Sequence, residues 1–373
     1  MKKRFCMLLP AAALLLTMTG SVLSAGGDAS DPVVSLSYLE QVFTPELRSD
    51  YTVSIHSRLG QAYRDSLLSF TESMGAGRLA AQEAAAGTAR SAAGRLLLKQ
   101  GDVLTLAPGC KLTLKSGSVT ADTSYLVDVT HGRTVTKLSA LAQKTLYMMG
   151  DTDSGELRIH SATCELVIDG VYRLSPGAGP DYGSMAEALD CMGLFQGTGS
   201  GYALENSASR AQGLVMFLRI LGLEEEALSY TGASPFTDVP KTHWAYPYVA
   251  YAYAQGLTSG TSADRFSPDR AITCQHYATF LLRALHYREG SDFTYAGALK
   301  DLAALGVFSQ QEVDTLSAGV FYRYKLVYLS YYGLFGVDQS TGRLLMNELT
   351  ERGAVKKTSL SDGLCRVVGQ RIS

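Results

Sequence analysis

The sequence lacks the residue spacings that mark most catalytic and metal-binding centres. Its six histidines include no HExxH or other metal-ligand spacing, and no Ser/His/Asp or paired-carboxylate arrangement can be assigned. Residues 197–201 are glycine-rich but have neither the preceding strand nor the Lys-Ser/Thr ending of a phosphate-binding loop. Residues 151–155 are similar to the start of a calcium loop, but Ala162 stands where its glutamate would be. We therefore expect no enzyme, no cofactor and no bound metal.

Cysteine is sparse and irregularly placed. Five cysteines lie beyond residue 25 without any CxxC pair, and an odd number cannot pair completely. We interpret them as small buried apolar side chains rather than as a disulfide framework. They are Cys110, Cys164, Cys191, Cys274 and Cys365.

A dense basic stripe is also missing, which argues against nucleic acid as a partner. Only 18% of the residues are charged and 46% are hydrophobic, a balance typical of a globular chain with a real core. The length allows two or three domains of ordinary size.

The first 25 residues have the three-part layout of a secretory signal peptide. Lys2, Lys3 and Arg4 precede an almost wholly apolar run at 5–16, and small residues follow at 20–26. The run is too short for a stable transmembrane helix, and no later stretch approaches that length. Removal of residues 1–25 leaves a net charge of about −5, because the only charges it removes are those three cations. We expect a secreted protein without a membrane span.

Two different patterns occupy the segment that follows. Residues 26–95 have helix-like spacing and an Ala/Gly-rich end, which predicts a helical, Ala-rich segment. Residues 96–178 change to short period-two runs divided by turn signals such as Pro108-Gly109 and Asp169-Gly170. This alternation is typical of a small all-β, sandwich-like module.

Beyond residue 180 the helical period returns as an internal repeat. Copies begin at Gly193, Gly256 and Gly306, and the first and third are offset by a constant 113 positions, so that Arg210 falls on Arg323. We predict an all-α trio of helix–loop–helix repeats over 180–350, at about 180–230, 236–287 and 293–335. Residues 351–373 are predicted to form a tail. The fold class is therefore α+β and multidomain.

The middle copy resembles an S-layer homology repeat over about 50 residues. The family pattern is a Phe-x-Asp-Val start, a His-Trp-Ala helix entry, a Gly-Leu…Gly loop, a Phe-x-Pro turn and a helix that opens Ile-Thr-Arg-Ala-Glu. Both flanking copies lack the His-Trp-Ala entry, and Tyr295 replaces the early aspartate in the third. The matching residues are Phe236, Asp238, Val239, His243, Trp244, Ala245, Gly256, Leu257, Gly260, Phe266, Pro268, Ile272 and Thr273.

Several of these residues have a local physical role. Asp238 is predicted to cap the amides that open the first helix, and Thr273 to cap the second. Gly256 suits a helix stop that needs positive φ.

The resemblance implies a secreted protein of a Gram-positive-type bacterium that binds a secondary cell-wall polysaccharide, commonly one bearing pyruvate ketals, in grooves between repeats. A ketal carboxylate suits the two parallel hydrogen bonds of a guanidinium. The family's arginine maps onto Arg210 and Arg323, but Cys274 takes its place in the middle copy. The candidate polysaccharide-binding residues are Arg210, Arg323, Trp244, Gln212 and Asp238.

Each candidate also has a structural alternative. The arginines fit solvated helix starts, and Trp244 fits the packing of a helix entry. We predict non-covalent attachment to the cell wall, with the N-terminal region displayed and no nucleic acid partner. The first alternative is a structural or protein-interaction module with non-binding repeats. The second is an enzyme in which residues 26–178 act on wall glycan.

Overall fold

The computed structural model describes residues 44–150, 153–198 and 201–372. The predicted signal peptide and residues 26–43 of the predicted helical segment lie outside these ranges. The chain divides into two compact units, residues 1–53 and 54–373. The described part of the first unit is the start of helix α1, Thr44–Ala84.

Helix α1 packs through a narrow buried face. Within the second unit this face includes Gly60, Arg64, Leu68 and Leu79, which recur at roughly helical spacing. A Cβ on Gly60 would collide with the carbonyl oxygen of Gly342. The glycine is therefore what allows the backbone of α1 to approach that turn so closely.

The β module is one ten-stranded antiparallel sheet in the described residues, ordered β6-β5-β8-β3-β10-β2-β9-β4-β7, with β1 also paired to β10. Alternation of apolar and polar residues sets which face each strand buries. The strands are β1 Arg90–Lys99, β2 Val103–Leu106, β3 Lys111–Ser116, β4 Val119–Asp122, β5 Leu126–Asp128, β6 Arg133–Thr134, β7 Ser139–Ala140, β8 Leu146–Met149, β9 Gly155–Ile159 and β10 Thr163–Ser175.

The sheet curls around a core shared by both of its arms. Leu112 and Met149 on one side of β10 and Leu104 and Leu157 on the other belong to one buried cluster. The 13-residue strand β10 joins the arms, so the two layers of the predicted sandwich are halves of a continuous sheet. Strand β1 begins at Arg90, inside the segment predicted as helical. The weak helix preference of its Ala/Gly-rich residues yields to ten paired positions with β10.

The helices beyond residue 180 include three helix–loop–helix pairs, one in each predicted repeat. The second helix of each pair has eleven residues. One apolar cluster contains buried residues from all three pairs, among them Leu214, Leu281 and Leu326, so the pairs share a core. The second helices are Arg210–Ile220 (α3), Cys274–Ala284 (α6) and Arg323–Gly333 (α9). The helices are α2 Tyr182–Cys191, α3 Arg210–Ile220, α4 Glu224–Ser229, α5 Tyr246–Ala254, α6 Cys274–Ala284, α7 Ala298–Ala304, α8 Gln310–Ser317, α9 Arg323–Gly333, α10 Leu345–Glu351 and α11 Lys357–Leu364, with a 3₁₀ turn at Tyr295–Gly297.

The C-terminal segment is packed into the fold and is not the tail that was predicted. Arg371 donates to both carboxylate oxygens of Glu312 at 2.7 Å, and Tyr328 donates to the same carboxylate. The carboxyl of Glu312 is 1% exposed. Burial acts to raise the pKa of Glu312, but the donors Arg371 and Tyr328 hold this pKa below its ordinary value. The amide of Val368 donates to the hydroxyl of Ser184, so the segment also contacts the first pair.

In the described ranges, no helix is both long enough and apolar enough to cross a membrane. The five cysteines named above are all unpaired there, and Cys110, Cys164 and Cys274 are buried. Burial raises the pKa of the Cys164 thiol to about 12, which keeps it protonated and unreactive.

Candidate functional site

The second helices of the three pairs begin in the same way. Arg210, Cys274 and Arg323 each occupy the first helical position, directly after the N-cap. This places the predicted arginine positions in structural correspondence. The cap of Thr273 is confirmed, since its hydroxyl accepts from the amide of His276 at 3.2 Å. The helix stop at Gly256 is confirmed by its φ of +67°.

Arg210 and Arg323 are each held by two main-chain carbonyls of the neighbouring repeat, in the same arrangement. The Nε of Arg323 donates to the oxygen of Tyr202 at 2.9 Å, and its Nη2 donates to that of Gln196 at 3.2 Å. The Nε of Arg210 donates to the oxygen of Phe266 at 3.0 Å, and its Nη2 to that of Ser259 at 3.3 Å. We call each arrangement an arginine clamp.

Neither clamped guanidinium has an acidic partner within ion-pair distance among the described residues. Arg323 is nevertheless only 5% exposed. Burial lowers its pKa to about 10, and it stays charged at neutral pH. The pKa of the half-buried Arg210 is lowered by burial and by the nearby Arg270. Buried charges are normally paired with an opposite charge, and these two cations have only carbonyl oxygens and aromatic rings as partners among the described residues.

Three of the five predicted site residues line one groove of about 380 Å³. These are Arg323, Gln212 and Trp244. The indole of Trp244 is 54% exposed and stacks on the ring of His243 with centroids 5.8 Å apart, so it does not pack inside the helix entry. We call this pocket the tryptophan groove. It has an aromatic rim and a cationic wall.

The floor of the tryptophan groove is a polar network that the sequence did not indicate. Arg219 donates to Glu224 at 2.7 Å and to the side-chain oxygen of Gln196 at 2.9 Å, and Tyr248 donates to Glu224 at 2.9 Å. These four residues come from three helices and a loop. No motif or spacing links them in sequence. Because Glu224 neutralises Arg219, the uncompensated charge in the groove is that of Arg323.

The other two predicted residues lie outside the tryptophan groove. Asp238 does not cap α5; its carboxylate accepts from the amides of Phe266 at 2.9 Å and Ser267 at 2.7 Å. Burial acts to raise the pKa of Asp238, but these two donors hold it below the ordinary value. Asp238 thus fixes the turn whose carbonyl clamps Arg210. It is a positioning residue.

Arg210 lies outside the tryptophan groove, near the start of α6, where its amide donates to the carbonyl of Arg270 at 2.8 Å. The rings of His276 and Tyr295 lie beside it with centroids 5.1 Å apart, and Arg210 and Arg270 both act on His276 electrostatically. We call this cluster of four residues, at the junction of the first two repeats, the histidine groove.

The two clamps lie at the junctions of the third repeat with the first and of the first repeat with the second. The third junction, between the second and third repeats, has no arginine clamp among the described residues. Cys274 is buried there, and Lys325 from α9 donates to the carbonyl of Ala318. The corresponding loop contains helix α8, whose first turn is capped by the side chains of Ser309 and Glu312. The third junction therefore has a different architecture from the two clamped ones.

Comparison with known protein families identifies the middle repeat. The family model of the S-layer homology domain matches residues 235–275. Cell surface glycoprotein 1 of Acetivibrio thermocellus is 30% identical over 161 residues, which are 40% of this chain and 7% of that protein. The cellulosome-anchoring protein of the same organism is 31% identical over 118 residues, 31% of this chain and 26% of that protein.

An endoglucanase of Bacillus sp. (strain KSM-635) is 42% identical over 57 residues, which are 15% of this chain and 6% of the endoglucanase. The chain spans about a quarter or less of the length of these three relatives. The likeness therefore covers a portion of each protein.

Proposed function

Because the chain contains an S-layer homology domain and is a secreted, cell-wall-associated protein, we propose that its repeats anchor it non-covalently to the wall. The ligand is an anionic secondary cell-wall polysaccharide, bound in the tryptophan groove and in the histidine groove. The anchored repeats display residues 26–178.

The observation that carries this proposal is the buried, unpaired charge of Arg323. Its two clamp bonds use Nε and Nη2, which leaves other guanidinium N–H groups available. A carboxylate substituent of a sugar accepts such donors in pairs and supplies the missing negative charge. A bound anion would thus compensate a desolvation cost that the free protein bears.

The remaining lining of the tryptophan groove suits a sugar ring. A half-exposed indole such as that of Trp244 offers an apolar face for stacking, and the side-chain NH₂ of Gln212 offers donors for hydroxyl groups. A volume of about 380 Å³ lies within the range of pockets that hold small ligands.

Co-sedimentation with peptidoglycan sacculi tests the proposal. Sacculi that retain their secondary polymer are compared with sacculi from which acid has stripped it. Trp244→Ala should lower the sedimented fraction at least tenfold and Arg323→Gln by a similar factor. Arg288→Gln, an exposed arginine paired with Asp292 outside both grooves, is the matched control and should sediment as the unchanged protein does.

Trp244→Ala is decisive if Arg323→Gln proves unstable, because its half-exposed side chain contributes little to packing. Equal sedimentation of Trp244→Ala and the unchanged protein would contradict binding in the tryptophan groove. No sedimentation with either kind of sacculi would contradict anchoring itself.

The clamps favour one alternative function. Each guanidinium donates to two carbonyls of the neighbouring repeat, which is also how a purely structural arginine would be held. In that case the repeats form a scaffold for a protein partner. Arg323→Gln would then lower the free energy of unfolding, while sedimentation would be absent from the start.

A further inference from the structure

The histidine groove combines two arginines, one histidine and one tyrosine, and contains no carboxylate. The imidazole Nδ1 of His276 lies 2.7 Å from the hydroxyl of Thr273, and the hydroxyl of Tyr295 lies 3.2 Å from the same nitrogen. Arg210 and Arg270 both repel the protonated imidazole. In the described ranges, no carboxylate lies within ion-pair distance of Arg210, Arg270 or His276.

The titratable residue sits at a position that the three repeats fill differently. The third residue of the second helix is Gln212 in α3, His276 in α6 and Lys325 in α9. The position therefore carries an amide in one repeat, an imidazole in the next and an amine in the third. The chain thus offers its own matched substitutions for His276.

We propose that His276 makes the histidine groove a pH-dependent anion site, so that attachment to an anionic wall polymer is tighter in acid. This inference rests on the proposed function and specifies how one of its two grooves is regulated. The ligand group is a carboxylate or phosphate substituent of the polymer.

The direction of the pH dependence follows from the charges around the imidazole of His276. Burial lowers the pKa of His276, and Arg210 and Arg270 lower it further, so the empty groove holds a neutral imidazole at neutral pH. A bound anion offsets that repulsion and stabilises the imidazolium, which raises the pKa in the complex. A group with a higher pKa in the complex takes up a proton on binding, so affinity rises as pH falls.

The groups that face His276 are accounted for on each neighbouring element. Arg210 comes from α3, Arg270 from the turn before α6, and Tyr295 from the 3₁₀ turn, while Thr273 caps its own helix. The hydroxyl of Thr273 carries no charge in the range in which histidine titrates. The pH dependence below neutrality is therefore assigned to His276.

Nuclear magnetic resonance titration of the secreted chain with sulfate tests the site directly. Sulfate keeps its charge across the titration range, so any change belongs to the protein. The His276 resonance is identified by its loss in His276→Gln. Sulfate should raise the pKa of His276 by about one unit, which corresponds to a tenfold tighter complex with the imidazolium. Arg210→Gln should abolish this change, and Arg323→Gln should leave it intact.

An unchanged pKa in the presence of sulfate would overturn the proposal, as would a change that survives in Arg210→Gln. These results do not depend on the wall polymer, so a failure of anchoring in the sedimentation assay is distinguishable from a failure of this site.

The second test is sedimentation with the wall polymer. It replaces His276 by the residues that the other two repeats have at the same position, glutamine and lysine. Sedimentation of the unchanged protein should rise about three- to tenfold from pH 7.5 to pH 5.5, in line with a modest coupling between sites. His276→Gln should lose this rise, and His276→Lys should sediment strongly at both values. The same rise in His276→Gln would place the pH dependence elsewhere and contradict the assignment.

Discussion

The two clamped junctions and the third junction differ in the residue at the start of the second helix and in how it contacts the neighbouring repeat. Arg210 and Arg323 each reach two carbonyls of a neighbouring repeat, whereas Cys274 is buried at the equivalent position and Lys325 supplies the cation from the other side. The clamped junctions keep a charge without an acidic partner. The third junction instead gains helix α8 and, with it, the buried pair of Glu312 and Arg371. Among the described residues, two junctions thus keep a cation without an acidic partner, whereas the third contains a buried ion pair.

The largest expected loss of stability is at the third junction. Arg371→Ala leaves the carboxylate of Glu312 buried without its cation, and loss of one partner of a buried pair costs about 3–5 kcal/mol of unfolding free energy. Urea unfolding followed by the fluorescence of Trp244, the only tryptophan, measures this change. The lowered pKa of Glu312 means that the pair contributes stability above the unfolded pKa and loses it as pH falls. Arg371→Ala should therefore lose less stability in acid than the unchanged protein, and an equal loss would contradict the role of the pair.

The two arginine clamps should contribute differently to the free energy of unfolding, because Arg323 is more deeply buried than Arg210. Arg323→Met removes a guanidinium that is only 5% exposed and leaves the carbonyl of the buried Tyr202 without its donor, so it should cost about 2–3 kcal/mol of unfolding free energy. Arg210→Met, at a half-buried position, should cost about 1 kcal/mol of unfolding free energy. The difference between the two unfolding free energies is the measurement. Equal costs would show that burial does not separate the two clamps.

The smallest effect is expected where the clamp is absent. Cys274→Ala removes one buried sulfur without exposing a charge and should cost about 1 kcal/mol. Its wall sedimentation should equal that of the unchanged protein, because Cys274 lines neither groove. A large loss of binding would mean that the third junction also contributes a site.

The sequence predicted those features that depend on neighbouring residues. The cap at Thr273 and the stop at Gly256 follow from local backbone requirements, and the constant offset between copies placed Arg210 and Arg323 at equivalent helix starts. The antiparallel module was visible because alternation is itself a local pattern.

The failures concern partners that are far apart along the chain. Asp238 binds amides 28 and 29 positions away instead of the adjacent helix. Arg371 finds Glu312 59 positions away, so the last residues read as a tail. The floor of the tryptophan groove joins Gln196 to Arg219 and Glu224, and no periodicity encodes such a network.

The pairing of the C-terminal segment with the start of the repeats has a mechanical consequence. Pro180 bridges Gly369, and the amide of Gln370 approaches the carbonyl of Gly179, at the point where the β module is joined to the repeats. If the repeats are held on a wall and the β module is pulled, tension enters the repeats at this bridge. Arg371 then transmits part of the load to α8 through Glu312, so the two ends of the repeat region resist extension together. Single-molecule stretching would register this coupling as one rupture event in place of two.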